Sequence, residues 1–182
     1  MQETIEKIMV SVPKKKVQSL CKKILKKCSF KSTHDLGNIT DLATWLYIYG
    51  YTDAAVNVCD FLKDFVFTGN YSLWSFADYS LCLKARILRE QKSTEDREQL
   101  ISKIQEHRHP ELYVNLVDWY RVTLNKNIQN DDLYYPKKIN CGWRLRKMCF
   151  AIQYKETGDF PISDEEFEAD IKEIITLLKQ VK

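Results

Sequence analysis

The sequence predicts an all-α fold of seven to eight helices, packed as stacked antiparallel hairpins or as an irregular helical bundle. Three observations carry this. Apolar side chains recur at helical spacing along most of the chain. Capping and helix-stopping residues fall at the ends of those runs. Five Gly and four Pro in 182 residues are too few for a turn-rich β fold. The length suits one core, and no Pro/Gly/Ser-rich linker divides the chain, so residues 1–182 read as a single domain.

The first clear helix follows Pro13, a residue suited to a first turn. Val17, Leu20, Cys21, Ile24, Leu25 and Cys28 form an amphipathic stripe. Lys14, Lys15, Lys16, Lys22, Lys23, Lys26 and Lys27 fill the rest of its circumference. A second helix is expected from Asn38 to Tyr49, with Ile39, Leu42, Ala43, Leu46 and Tyr49 inward and Gly50 as its stop. Thr52 or Asp53 can cap the third, which turns Ala55, Val58, Cys59 and Leu62 inward. Gly69-Asn70 breaks the chain. Ser72 then caps a long helix to Gln91 with Leu73, Phe76, Ala77, Leu81, Ile87 and Leu88 as core. Ser93 or Thr94 opens a helix bearing Leu100, Ile101 and Ile104. Pro110 opens another, through Asn125, with Tyr113, Leu116, Val117, Tyr120 and Leu124 inward. Residues 126–136 are polar and read as a loop. A helix from Lys137 to Thr157 buries Leu145, Met148, Cys149 and Ile152 and ends at Gly158. Ser163 and Glu166 form a capping box for the last helix, whose stripe is Phe167, Ile171, Ile174, Leu178 and Val181.

Charge is distributed unevenly about a net +3. Residues 1–31 hold nine Lys and two Glu, an excess of seven positive charges, and the remainder is net negative by four. The acid-rich part runs from Glu156 to Glu173. Such asymmetry suits mutual attraction of the two ends or two different partners. The six Cys lie in apolar helical stretches, where a free thiol behaves as a small hydrophobe, so reduced thiols and a cytoplasmic setting are expected. No signal-like or 18-residue apolar run occurs, so no membrane partner is expected.

Two segments share a pattern. Leu42-Ala43 precedes Leu46 and Gly50, and Phe150-Ala151 precedes Tyr154 and Gly158. In each, a small residue lets helix backbones approach and a glycine turns the chain back. With Ala55 added, and with the turn Tyr154-Lys155-Glu156-Thr157-Gly158-Asp159-Phe160, these segments resemble tetratricopeptide repeats. Leu62 replaces a small residue of that motif, no proline closes either copy, and no clear copy lies between them. The resemblance covers about a third of the chain and implies stacked helical hairpins with a protein- or peptide-binding surface. Any antiparallel helix pair places the same demands on a small residue and a glycine turn.

Motifs for chemistry are missing from the sequence. No C-x-x-C, G-x-S-x-G, P-loop or G-x-G-x-x-G occurs. His34, His107 and His109 are the only imidazoles, and none has Cys neighbours at metal-ligand spacing. His34-Asp35 reads as an inter-helix loop with no marked nucleophile. Asp164, Glu165, Glu166 and Glu168 suit a helix N-terminus. No catalytic residue, metal or cofactor is therefore expected.

Two features point to binding. One is the basic face Lys14, Lys15, Lys22, Lys23, Lys26 and Lys27, which either contacts phosphates or is simply solvated. The other is aromatic content: Tyr47, Trp74, Asp78, Tyr79 and Arg86 lie off the predicted apolar stripes, and Tyr134-Tyr135 lies in the polar loop. Tyr, Trp and Arg are enriched at binding hot spots; alternatively, a second helical layer covers them. Trp45, Trp119 and Trp143 fit the core. The expectation is a non-catalytic protein-binding module. In size, helical content and surface aromatics it is similar to the small all-helical immunity proteins of bacterial toxin systems, which implies a toxin domain as partner and neutralisation by occlusion. The alternatives are a nucleic-acid-binding protein using residues 13–28 and an enzyme with a polar pocket around His34 or His107.

Overall fold

The computed structural model describes residues 13–107, 137–158 and 163–180. Among these the chain is all-α: seven α-helices, one 3-10 helix and no strand. The helices are α1 (Lys14–Leu25), α2 (Thr33–Ile48), α3 (Thr52–Cys59), α4 (Tyr71–Glu90), α5 (Thr94–Gln105), α6 (Lys137–Glu156) and α7 (Asp164–Gln180), with the 3-10 turn Asp60–Leu62 after α3. The helix expected at 110–125, the loop 126–136, His109 and the Tyr134-Tyr135 pair lie outside the described residues. So do the side chains of Lys14, Lys15, Cys141 and Trp143. The chain divides into two compact units, residues 1–104 and 105–182.

In the first unit, α1 packs on α3, and α2 packs on both α3 and α4. The stripe of α1 is buried at Val17, Cys21 and Leu25, while Lys22 and Lys23 stay exposed. The helix ends at Leu25 because the chain tightens there: Lys27 N–H and Cys28 N–H donate to carbonyls three residues back, Ile24 and Leu25, each at 3.0 Å.

Helix α2 begins at Thr33, five residues before the position expected from periodicity. Ser32 is the cap, its Oγ accepting from Asp35 N–H at 3.2 Å. His34 and Asp35 therefore belong to a first helical turn and not to a loop. Gly37 lies inside the helix for a steric reason. A Cβ there would stand 3.3 Å from Cε1 of Phe76 on α4. Expected core positions Ile39, Leu42, Ala43 and Leu46 are buried, but Tyr49 is 38% exposed. It sits at the C-cap, past the last turn that faces the core. Gly50 takes φ 78°, and Tyr51 N–H donates to Leu46 C=O at 2.8 Å, closing a Schellman turn that redirects the chain into α3. Tyr51, rather than Thr52 or Asp53, occupies the α3 cap.

Asn70, not Ser72, caps α4: its Oδ1 accepts from Ser72 and Leu73 N–H at 3.0 and 3.2 Å. This helix is buried without interruption from Ala77 to Leu83 and from Ala85 to Leu88. Over that length it is buried on all sides rather than along one stripe.

In the second unit, Leu145, Met148, Cys149, Ala151, Ile152 and Tyr154 of α6 and Phe167, Ile171, Ile174 and Leu178 of α7 are buried. Burying such a side chain is worth roughly 1.5–3 kcal/mol. Ser163 Oγ accepts from Glu166 N–H at 3.2 Å, the capping bond anticipated from the sequence. Lys155 Nζ meets Asp164 Oδ1 at 2.5 Å and lies over the Phe167 ring, tying α6 to the start of α7.

Candidate functional site

The residues singled out on α4 are buried side chains. Trp74, Asp78, Tyr79 and Arg86 retain only 3%, 2%, 7% and 3% of their exposure, and Tyr47 is half-buried. The expectation that they form an open binding face is corrected: the alternative of a covering layer holds. The physical reason is the all-round enclosure of α4, which makes its off-stripe positions as buried as its stripe.

Two polar members of this group, Tyr47 and Arg86, bond to each other and to Glu90. Arg86 Nε donates to the Tyr47 hydroxyl at 2.7 Å and lies 3.1 Å from Glu90 Oε1. Tyr47 in turn donates to Glu90 Oε1 at 2.6 Å. Burial pushes the Tyr47 phenol up to about 12; the Arg86 charge opposes this, and its bond to Glu90 adds to it. The phenol is thus held as a neutral donor. Cys82 Sγ donates to Asp78 Oδ1 at 3.3 Å, one turn away. Nearer the start of α2, Thr40 Oγ1 lies 3.0 Å from both the Leu36 and Phe76 carbonyls and 2.9 Å from Ser80 Oγ. Thr40 has one proton and both carbonyls only accept, so the Ser80 hydroxyl donates to Thr40. These groups join α2 to α4 and specify their register.

Of the lysine face, Lys22, Lys23, Lys26 and Lys27 fall within the described side chains. Lys16, Lys22, Lys23, Lys26, Lys27 and Lys31 are exposed, and none forms an ion pair with another described residue. No carboxylate occurs between residues 13 and 34. Among the described residues no group of three or more His, Cys, Asp or Glu could hold a metal. His34 is exposed on the first turn of α2, and His107 is half-buried beyond α5. Cys21, Cys28, Cys59, Cys82 and Cys149 are free thiols. Burial pushes the Cys21 thiol up to about 11 and raises that of Cys28. Both are poor nucleophiles. No helix among the described residues is long and apolar enough to cross a membrane.

The structure also brings Trp74 together with aromatics that sequence reasoning passed over. Phe30, just beyond α1, packs on Phe61 at 5.1 Å and on Phe65 at 5.8 Å between ring centroids. Phe65 stacks on Trp74 at 6.0 Å, and Phe67 meets both Trp74 and Tyr71. This continuous run joins the end of α1, the 3-10 turn, the loop 63–70 and the start of α4. Among the described residues, three of the four large hydrophobics that remain exposed lie on it or beside it: Phe30 at 40%, Val66 at 72% and Tyr71 at 40%. The signal available in the sequence was aromatic density, with Phe61, Phe65, Phe67, Tyr71, Trp74 and Phe76 within sixteen residues.

A model of a family of unknown function (DUF6707) matches residues 1–179. No curated protein and no solved structure matches the chain.

Proposed function

The chain belongs to that family of unknown function (DUF6707), and from this premise we propose that it is a non-catalytic protein-binding module. The observation that carries the reading is the solvent-facing end of the aromatic run, at Phe30, Val66 and Tyr71. Large apolar side chains grouped at a surface, with a well-packed aromatic layer beneath and charge around them, are the usual make-up of a binding centre. The Tyr47–Arg86–Glu90 bonds and the buried Thr40–Ser80 bond support it by fixing the α2–α4 frame on which that surface is mounted. A rigid frame lowers the ordering cost of association.

A narrower form of the reading is an immunity-type protein that blocks a toxin domain by occlusion. Its support is the small, all-helical build and the surface aromatics. In that form, complementary charge speeds the encounter.

One further observation favours a second reading. Lys16, Lys22 and Lys23 of α1, with Lys26 and Lys27 just beyond it, are exposed and form no ion pair with a described residue, which suits phosphate contacts and so a nucleic-acid partner. Affinity capture of the tagged chain from its own source, with and without nuclease, separates the two. The module reading expects one stoichiometric protein that resists nuclease and salt. Recovery that nuclease abolishes overturns it in favour of nucleic acid.

A further inference from the structure

The exposed end of the aromatic run is not electrically neutral ground. Lys26, Lys27 and Lys31 surround Phe30 in the chain, and all three are exposed. None forms an ion pair with a described residue. Lys63 leads into the loop that carries Val66, and the Lys103 ammonium lies on the Lys63 carbonyl. Lys84, by contrast, is already paired with Asp60 at 2.6 Å. An apolar surface is therefore bordered by lysines that form no ion pair with a described carboxylate.

We propose that this face, centred on Phe30 and Val66, seats an acidic amphipathic segment of a partner protein. An apolar side chain of the segment covers Phe30 and Val66, and its carboxylates meet Lys26, Lys27 and Lys31. The proposal rests on the protein-binding reading and adds the surface and the chemistry of what it binds. Two features of the patch favour a protein over other anions. Val66 is its most exposed member at 72%, and an aliphatic side chain offers no stacking platform to a base. The cations are all Lys, with no Arg to read base edges.

A displayed library of random 16-residue peptides, panned against the full chain, tests this. Enriched sequences are then synthesised and their binding measured by fluorescence anisotropy. The expected winners alternate Asp/Glu with Leu, Phe or Trp. Their affinity falls about tenfold or more in Val66→Glu and in Lys27→Glu/Lys31→Glu, and falls with added salt. Val66 barely touches the core, so Val66→Glu keeps the test valid even where Phe30→Ser disturbs folding. Winners without acidic residues, or winners that bind Val66→Glu and the double lysine variant as tightly as the parent, overturn the proposal. In the second case the protein-binding reading survives on another face. No enriched peptide, together with binding of phosphatidylserine vesicles or of a single-stranded oligonucleotide that the same variants abolish, overturns both.

Discussion

The Tyr47 hydroxyl accepts a hydrogen bond from Arg86 Nε across 2.7 Å and so links α2 to α4 through a half-buried phenol and a buried guanidinium. Glu90 completes the set by accepting the phenol proton. The fold keeps Tyr47 neutral, with its pKa raised from 10.0 to about 12. A raised folded-state pKa means that this contribution to stability is fully present below about pH 10. It disappears as pH rises towards 12. Urea unfolding between pH 9 and 12 is expected to show a loss on the order of 1 kcal/mol from this group. Tyr47→Phe, which has no ionisable proton, is expected to lose less over the same interval although it is less stable at neutral pH.

Thr40 and Ser80 make the second polar link between the same helices. Thr40→Val keeps the shape and removes the hydroxyl, which leaves Ser80 without its acceptor. The expected cost is about 1–2 kcal/mol, read as a lower urea midpoint with an unchanged slope. A change below about 0.3 kcal/mol would show that the Ser80 hydroxyl finds another partner at no cost.

Lys92 takes φ 61° after α4, where Ser93 N–H donates to Leu88 C=O at 2.9 Å. The turn after α2 makes the equivalent bonds with Gly50 in the left-handed position. A Cβ in that region costs about 1 kcal/mol. Lys92→Gly is therefore expected to stabilise the protein by roughly 0.5–1 kcal/mol in thermal or urea unfolding.

Cys21 is 3% exposed and its thiol is pushed up to about 11. At pH 8 it is expected to react with a disulfide reagent only when the chain opens, so its rate should follow the unfolding equilibrium as urea is added. Cys28, half-buried, is expected to react earlier. Peptide mapping by mass spectrometry distinguishes the two sites.

The one-sided elements were legible in the sequence. The stripe of α1 was readable because only one face is buried, and the Ser163–Glu166 signal located the start of α7. Helix α4 was not readable in this way. Once a helix is enclosed on all sides, the 3.6-residue period no longer separates inside from outside. Arg86 looks solvent-facing because its partner Tyr47, at a separation of 39, is invisible to a period. The aromatic patch escaped for a related reason. Phe30 and Val66 belong to no shared stripe, and only the fold of the chain around Phe61 and Phe65 makes them neighbours.

If another protein sits on this chain as proposed, it sits on the face around Val66. A photo-crosslinking benzoylphenylalanine placed at position 66, with a second variant carrying it at exposed Gln91 as control, reads this directly in cells of the source. The prediction is one discrete protein adduct from position 66, resistant to nuclease and weakened by Lys27→Glu/Lys31→Glu, with no such adduct from position 91. Equal labelling from both positions, or an adduct from position 66 that nuclease removes, would contradict it.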